Sequence, residues 1–168
     1  MNASSVELAF GPGDVRLGLE ARSWRDAVDQ AGALLVSRGA TTAGYTRRML
    51  EVIETYGPYM VVAPGVALVH AKPGSDVRHN GAVILTFPDG VDFGHRRFDP
   101  VRAVVGIAVR RPDEHVTIIA AIARLLDSDG TIDALLSATD ADALARGVAE
   151  RLAEAGIAVD APDAPHTA

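Results

Sequence analysis

Apolar and polar positions recur along the chain with two periods, one of strands and one of helices. In "VRLGLEA" (residues 15–21), Val15, Leu17 and Leu19 fall on one side, the alternation of a half-buried strand. "WRDAVDQAGALLVSR" carries Trp24, Ala27, Val28, Ala31, Leu34 and Leu35 on one helical stripe. Ser23 before it, with Asp26 three residues on, predicts a capping box, and Gly39 ends the helix. "AGYTRRMLEVIETY" predicts a second helix with Tyr45, Met49, Val52 and Ile53 inward. Thr41 or Thr42 caps it and Gly57-Pro58 stops it. Apolar runs at 59–63, 66–70, 81–87 and 103–109 predict strands, and "PDGVDFGHRRFDP" (88–100) reads as a loop or edge hairpin. Asp113 caps a third predicted helix whose inward face carries Val116, Ile119, Ala120, Ala123 and Leu126. Residues 131–137 read as a short helix, and a last helix starts at Asp140 or Asp142 and runs to residue 155. The Pro/Ala-rich tail, 159–168, is expected to be disordered, so His166 carries no structural role. Strands interleaved with helices predict the α/β class: one domain over 1–158, its sheet layered with helices.

Composition narrows the function more than the fold. A chain of 168 residues suits one domain with a real core. Only 5% of residues are aromatic, so Val, Ile, Leu and Ala must fill that core. The formal net charge of −6 argues against nucleic acid, which needs a basic footprint. The absence of cysteine removes disulfides, thiol nucleophiles and thiolate metal sites together. No apolar run is long enough to span a bilayer, and "MNASSVELAF" lacks a basic segment followed by a long apolar one. The expectation is therefore a cytoplasmic protein.

The candidate chemistry lies in histidines. No dinucleotide fingerprint, phosphate-binding P-loop, HExxH or G-x-S-x-G motif occurs. His70, His79, His95, His115 and His166 are nowhere at metal-ligand spacing. In "YGPYMVVAPGVALVHAKP" (56–73), Val66, Leu68 and His70 share a strand face, so an imidazole ends an apolar run. Sites collect at strand ends in α/β sheets, although a satisfied edge histidine fits the same position. His115 falls in the first turn of a predicted helix, beside backbone N–H groups that attract anions, and borders its buried face through Ile119. A first-turn surface residue is the plainer reading of His115. Lys72 could steer an anionic partner or simply be solvated. His79 and His95 read as loop surface, Asp99-Pro100 as a turn, and Arg96 and Arg97 as a docking rim or a solvated pair.

"GPYMVVAPGVALVHAKP" resembles the active-site signature of EIIA components of the bacterial phosphoenolpyruvate-dependent sugar phosphotransferase system. The branch is the mannitol/fructose-type EIIA (an EIIA type-2 domain), and within it the ascorbate-type members. "GYTRRMLEVIETYGPY", "FGHRRFDPVRAVVGIAV" and "DEHVTIIAAIARLLDSDGTIDALLSATDADAL" resemble family segments too, so the likeness runs from Trp24 to Leu152. It implies a mixed β-sheet sandwiched between helices, with no metal and no organic cofactor. It implies that His70 is the phosphorylated nucleophile and His115 its phosphoryl stabiliser. A phosphoryl group would arrive from HPr and leave to a cysteine of an EIIB partner, in uptake of an ascorbate-like sugar. Peripheral association with a membrane EIIC component, and a homodimer, are compatible with it.

The resemblance departs from the family pattern at two places. Val69 stands where the family has proline before the histidine. An arginine on the preceding helix of the mannitol branch aligns near Val52, with Arg47 and Arg48 one turn back, and is not carried over. The Pro64-Gly65 turn is expected to bring backbone close to the imidazole. Two other classes stay open: a regulatory protein-binding module on the same fold, and a small metal-dependent enzyme using the scattered histidines.

Overall fold

A computed structural model describes residues 5–161. Its chain order is β1 (Val6–Ala9), a 3-10 turn at Pro12–Asp14, β2 (Val15–Arg16), α1 (Trp24–Ser37), α2 (Ala43–Tyr56), β3 (Val61–Ala63) and β4 (Val66–Val69). β5 (Gly81–Val91), β6 (Val101–Ala108), α3 (Pro112–Asp127), α4 (Thr131–Leu136), α5 (Ala141–Glu154) and β7 (Ile157–Asp160) follow. The seven strands form one sheet in the order β3-β4-β6-β5-β1-β7, with β2 also on β5. β4 runs parallel to β6, and β1 parallel to β5 and β7, whereas β3–β4 and β5–β6 are antiparallel. The sheet is therefore mixed.

Alternation along each strand sorts the apolar side chains into two cores. Ala67, Val69, Val83, Leu85 and Val104 face α1 and α2. Val66, Leu68, Ile84, Val105 and Ile107 face α3, α4 and α5. Both faces of the central strands are covered, which is why 66–69 and 81–87 read as continuous apolar runs. α1 lies close against α2 because Gly32 has no side chain: a Cβ there would stand 2.2 Å from Thr46 Oγ1.

Local signals placed most boundaries. Ser23 Oγ accepts the Asp26 N–H, and the Asp26 carboxylate reaches back to the N–H of Arg22, one residue outside the expected box. Gly39, at φ 81°, follows the end of α1 in the left-handed conformation that terminates helices. Asp140 caps α5 through the N–H groups of Asp142 and Ala143.

Several expectations need correction. The strand at 15–21 is only Val15–Arg16 long. The segment 88–100 is partly strand: β5 continues to Val91, which pairs Val101, so β5 and β6 form a long hairpin. Arg111, not Asp113, is the N-cap of α3, with Pro112 as its first residue. The buried face of α3 carries Ile118, Ala121, Ile122, Leu125 and Leu126, while Val116 is 67% exposed. "VTIIAAIA" is apolar almost all round, so its periodicity admits two faces, and the sheet selects one. Finally, β1 and β7 were not foreseen. Val159 and Asp160, assigned to a disordered tail, pair with Leu8 and Ala9. Residues 162–168, with His166, lie outside the described residues.

Candidate functional site

The parallel pair β4 and β6 end side by side, with Val69 in register with Gly106. His70 leaves the sheet immediately after that pair. The chain leaves β6 through 109–111 and enters α3, whose first turn holds His115. The two imidazoles thus meet at the carboxyl end of the strands, ring centroids 5.4 Å apart and tilted by 49°. Side chains at i, i+3 and i+4 share a helix face, so burying Ile118 turns His115 toward the sheet. Asn80 holds the entry to α3. Its Oδ1 accepts the Arg110 N–H, and its Nδ2 donates to the Glu114 carboxylate and the Glu7 carbonyl.

His70 is half-buried, and its Nδ1 lies 3.0 Å from the Leu68 carbonyl oxygen. A carbonyl can only accept, so Nδ1 carries the proton and Nε2 carries the lone pair. Burial holds the His70 pKa below the ordinary 6.5; the Leu68 bond opposes that shift and the neighbouring His115 adds to it. Burial lowers His115 as well. Its Nδ1 is buried with no protein partner among the described residues. Two adjacent imidazoles, both biased toward the neutral form and one with a fixed lone pair, can supply a nucleophile and a neighbouring hydrogen-bonding group.

The sequence named this pair but not what fixes it. The Pro64-Gly65 turn is at the far end of β4, five residue steps from His70 across that strand, or roughly 16 Å at ~3.3 Å per residue. The backbone group that reaches the imidazole is the Leu68 carbonyl, two residues back. Behind the site, Tyr45 is wholly buried, and its hydroxyl accepts the Ala71 N–H at 3.0 Å and donates to the Ile107 carbonyl. Arg48, one turn along α2, makes a bidentate pair with Asp76 (2.6 and 2.8 Å) and donates to the Lys72 carbonyl. Its guanidinium is thus used in holding the loop after His70.

The other candidates separate. Lys72 and His79 are exposed, as are Arg96 and Arg97. His95 is more than loop surface: its Nδ1 accepts the N–H groups of Arg97 and Phe98, and its ring stacks on Phe98 at 4.7 Å. The Asp99 carboxylate gathers the N–H groups of Phe93, Gly94 and His95, which organises the loop between β5 and β6. Among the described residues no three His, Asp or Glu side chains gather as metal ligands would. No described helix is long and apolar enough to cross a membrane.

Comparison with known proteins gives the family and the fold. The family model described as "Phosphoenolpyruvate-dependent sugar phosphotransferase system, EIIA 2" matches residues 9–151. SgcA of Escherichia coli K12, described as a phosphotransferase IIA component, is 34% identical over 125 residues, 74% of this chain and 87% of its own length. An ascorbate-specific PTS system EIIA component of Shigella boydii is 32% identical over 122 residues, 72% of this chain and 79% of its own. The Escherichia coli mannitol enzyme IIA, solved in complex with phosphorylated enzyme IIB, superposes with a TM-score of 0.71 at 28% identity, covering 88% of this chain and 99% of its own. The mixed sheet between helices is therefore the mannitol-type EIIA fold, and the chain belongs to the EIIA 2 family of the phosphoenolpyruvate-dependent sugar phosphotransferase system.

Proposed function

We propose that this EIIA component carries its phosphoryl group on Nε2 of His70. The observation that carries the reading is the 3.0 Å approach of Nδ1 to the Leu68 carbonyl, which leaves Nε2 as the nucleophile. The Nε2 lone pair attacks the phosphorus of a phosphohistidine donor, HPr. A new N–P bond forms as the donor's N–P bond breaks, and the donor imidazole recovers its electron pair. In the second step a cysteine thiolate of an EIIB partner attacks the same phosphorus, and His70 recovers its pair. His115 Nε2, beside the acceptor, donates to the phosphoryl oxygens during transfer. Phosphoryl transfer needs mainly position and charge stabilisation, so two placed imidazoles suffice on this side, with further donors from the partner.

Similarity to ascorbate-specific components makes an ascorbate-like sugar the best substrate for the whole permease, with the chain acting in the cytoplasm. Incubation with phosphoenolpyruvate, enzyme I and HPr should add one acid-labile, base-stable phosphoryl group. His70→Ala should abolish it, and His115→Ala should still accept phosphate but on the order of 10²-fold more slowly. Full labelling of His70→Ala would sink the acceptor assignment.

A further inference from the structure

We infer that Tyr45 is a positioning residue for transfer: its hydroxyl rivets the exits of β4 and β6 together and thereby fixes the imidazole of His70. The inference rests on His70 being the phosphoryl acceptor.

The β4–β6 ladder ends at Val69 and Gly106. One residue beyond Gly106 the Ile107 carbonyl accepts from the Tyr45 hydroxyl, and two residues beyond Val69 the Ala71 N–H donates to it. His70 lies between the last ladder pair and this rivet, so its backbone is held on both sides. Its ring orientation depends on a bond to the carbonyl of Leu68, inside the ladder. A shift of the backbone at 70–71 would therefore open the bond that holds the proton on Nδ1.

Ala71 is buried, 3% exposed, so leaving its N–H without an acceptor is costly. A neutral phenol suits the role because it accepts and donates at one oxygen, and burial pushes the Tyr45 pKa up to about 12. Tyr45 belongs to the core beneath α1 and α2, whereas Leu68, on His70's face, belongs to the core beneath α3 to α5. Its influence crosses the sheet at the end of the strands. The Arg48 pairing with Asp76 and the Lys72 carbonyl steadies the outer part of the same loop.

Tyr45→Phe removes the oxygen and keeps the ring. In the wild type, imidazole ¹⁵N spectra should show His70 as one tautomer, protonated on Nδ1. In Tyr45→Phe that signal should give way to a mixture, and kcat for transfer from phospho-HPr should fall on the order of tenfold with KM unchanged. A folded Tyr45→Phe protein with the wild-type tautomer and wild-type kcat would reduce Tyr45 to a packing residue and overturn the inference. Should that variant not fold, 3-fluorotyrosine placed at position 45 keeps the shape and weakens the oxygen as an acceptor. Slowed transfer then supports the rivet, and an unchanged rate overturns it. These outcomes differ from failure of the acceptor assignment, which appears as labelling that survives His70→Ala.

Discussion

Each imidazole of the pair is held to the neutral form, and the sign of that effect gives a pH dependence. A histidine whose folded pKa lies below 6.5 binds fewer protons folded than unfolded between the two values, so stability is intact above about 6.5 and is lost as pH falls through that window. Thermal melts between pH 8 and pH 5 should show a smaller acid loss in His70→Ala than in the wild type. Equal losses would mean that burial does not perturb His70. If His70 is the acceptor as proposed, the same shift favours an unprotonated Nε2 at pH values where a free imidazole is half charged, and the acid limb of the transfer rate should lie below 6.5. At this scale the sequence was partly transparent. His70 and His115, whose rings the fold brings together, could be picked out as candidates because a short motif and a helix start surround them. The Leu68 carbonyl could not, because which backbone oxygen faces a ring depends on a rotamer. Tyr45 was expected only as an inward residue: nothing in "AGYTRRMLEVIETY" says that its hydroxyl reaches the segment leaving β4.

The elements were legible where local signals and apolar period agreed, as in α1, α2 and the Asp140 cap of α5. They were not where the apolar pattern was too rich, as on α3. There Val116 and Ile118 are equally apolar, and only the sheet buries one and exposes the other. Close packing between elements is a further thing a pattern does not print. Gly32 lies inside α1, where Ala has the better helix propensity by about 1 kcal/mol. Yet a Cβ would stand 2.2 Å from Thr46 Oγ1 and 2.7 Å from its Cβ. Because the Cβ of Thr46 is itself too close, rotating that side chain cannot clear the clash, and α1 must move from α2. Gly32→Ala should therefore lose stability, by ~1–2 kcal/mol after the propensity gain, in a denaturant titration. A stabilised variant would show that the helices separate freely.

Across the whole molecule, alternation of helices and strands was enough for the class, but not for the order of strands. The outermost pair joins the two ends of the chain, Val6 with Ile157 through Ala9 with Asp160, and two four-residue segments this far apart carry no local sign of each other. Ile157 is 1% exposed, in the core beneath α3 to α5. Ending the chain after Gly156 should thus cost at least the ~2–5 kcal/mol of a large buried aliphatic, seen as a lowered Tm. An unchanged melt would make β7 dispensable. His70 itself stands at one end of this sheet and offers one nitrogen. On the proposed reading, whatever delivers the phosphoryl group and whatever collects it need the same atom from the same side, so they cannot be seated together. Turnover is then a queue, in which each visitor must leave before the next arrives. A donor that bound tightly would block the line, and the traffic such a carrier supports is set by how quickly its partners let go.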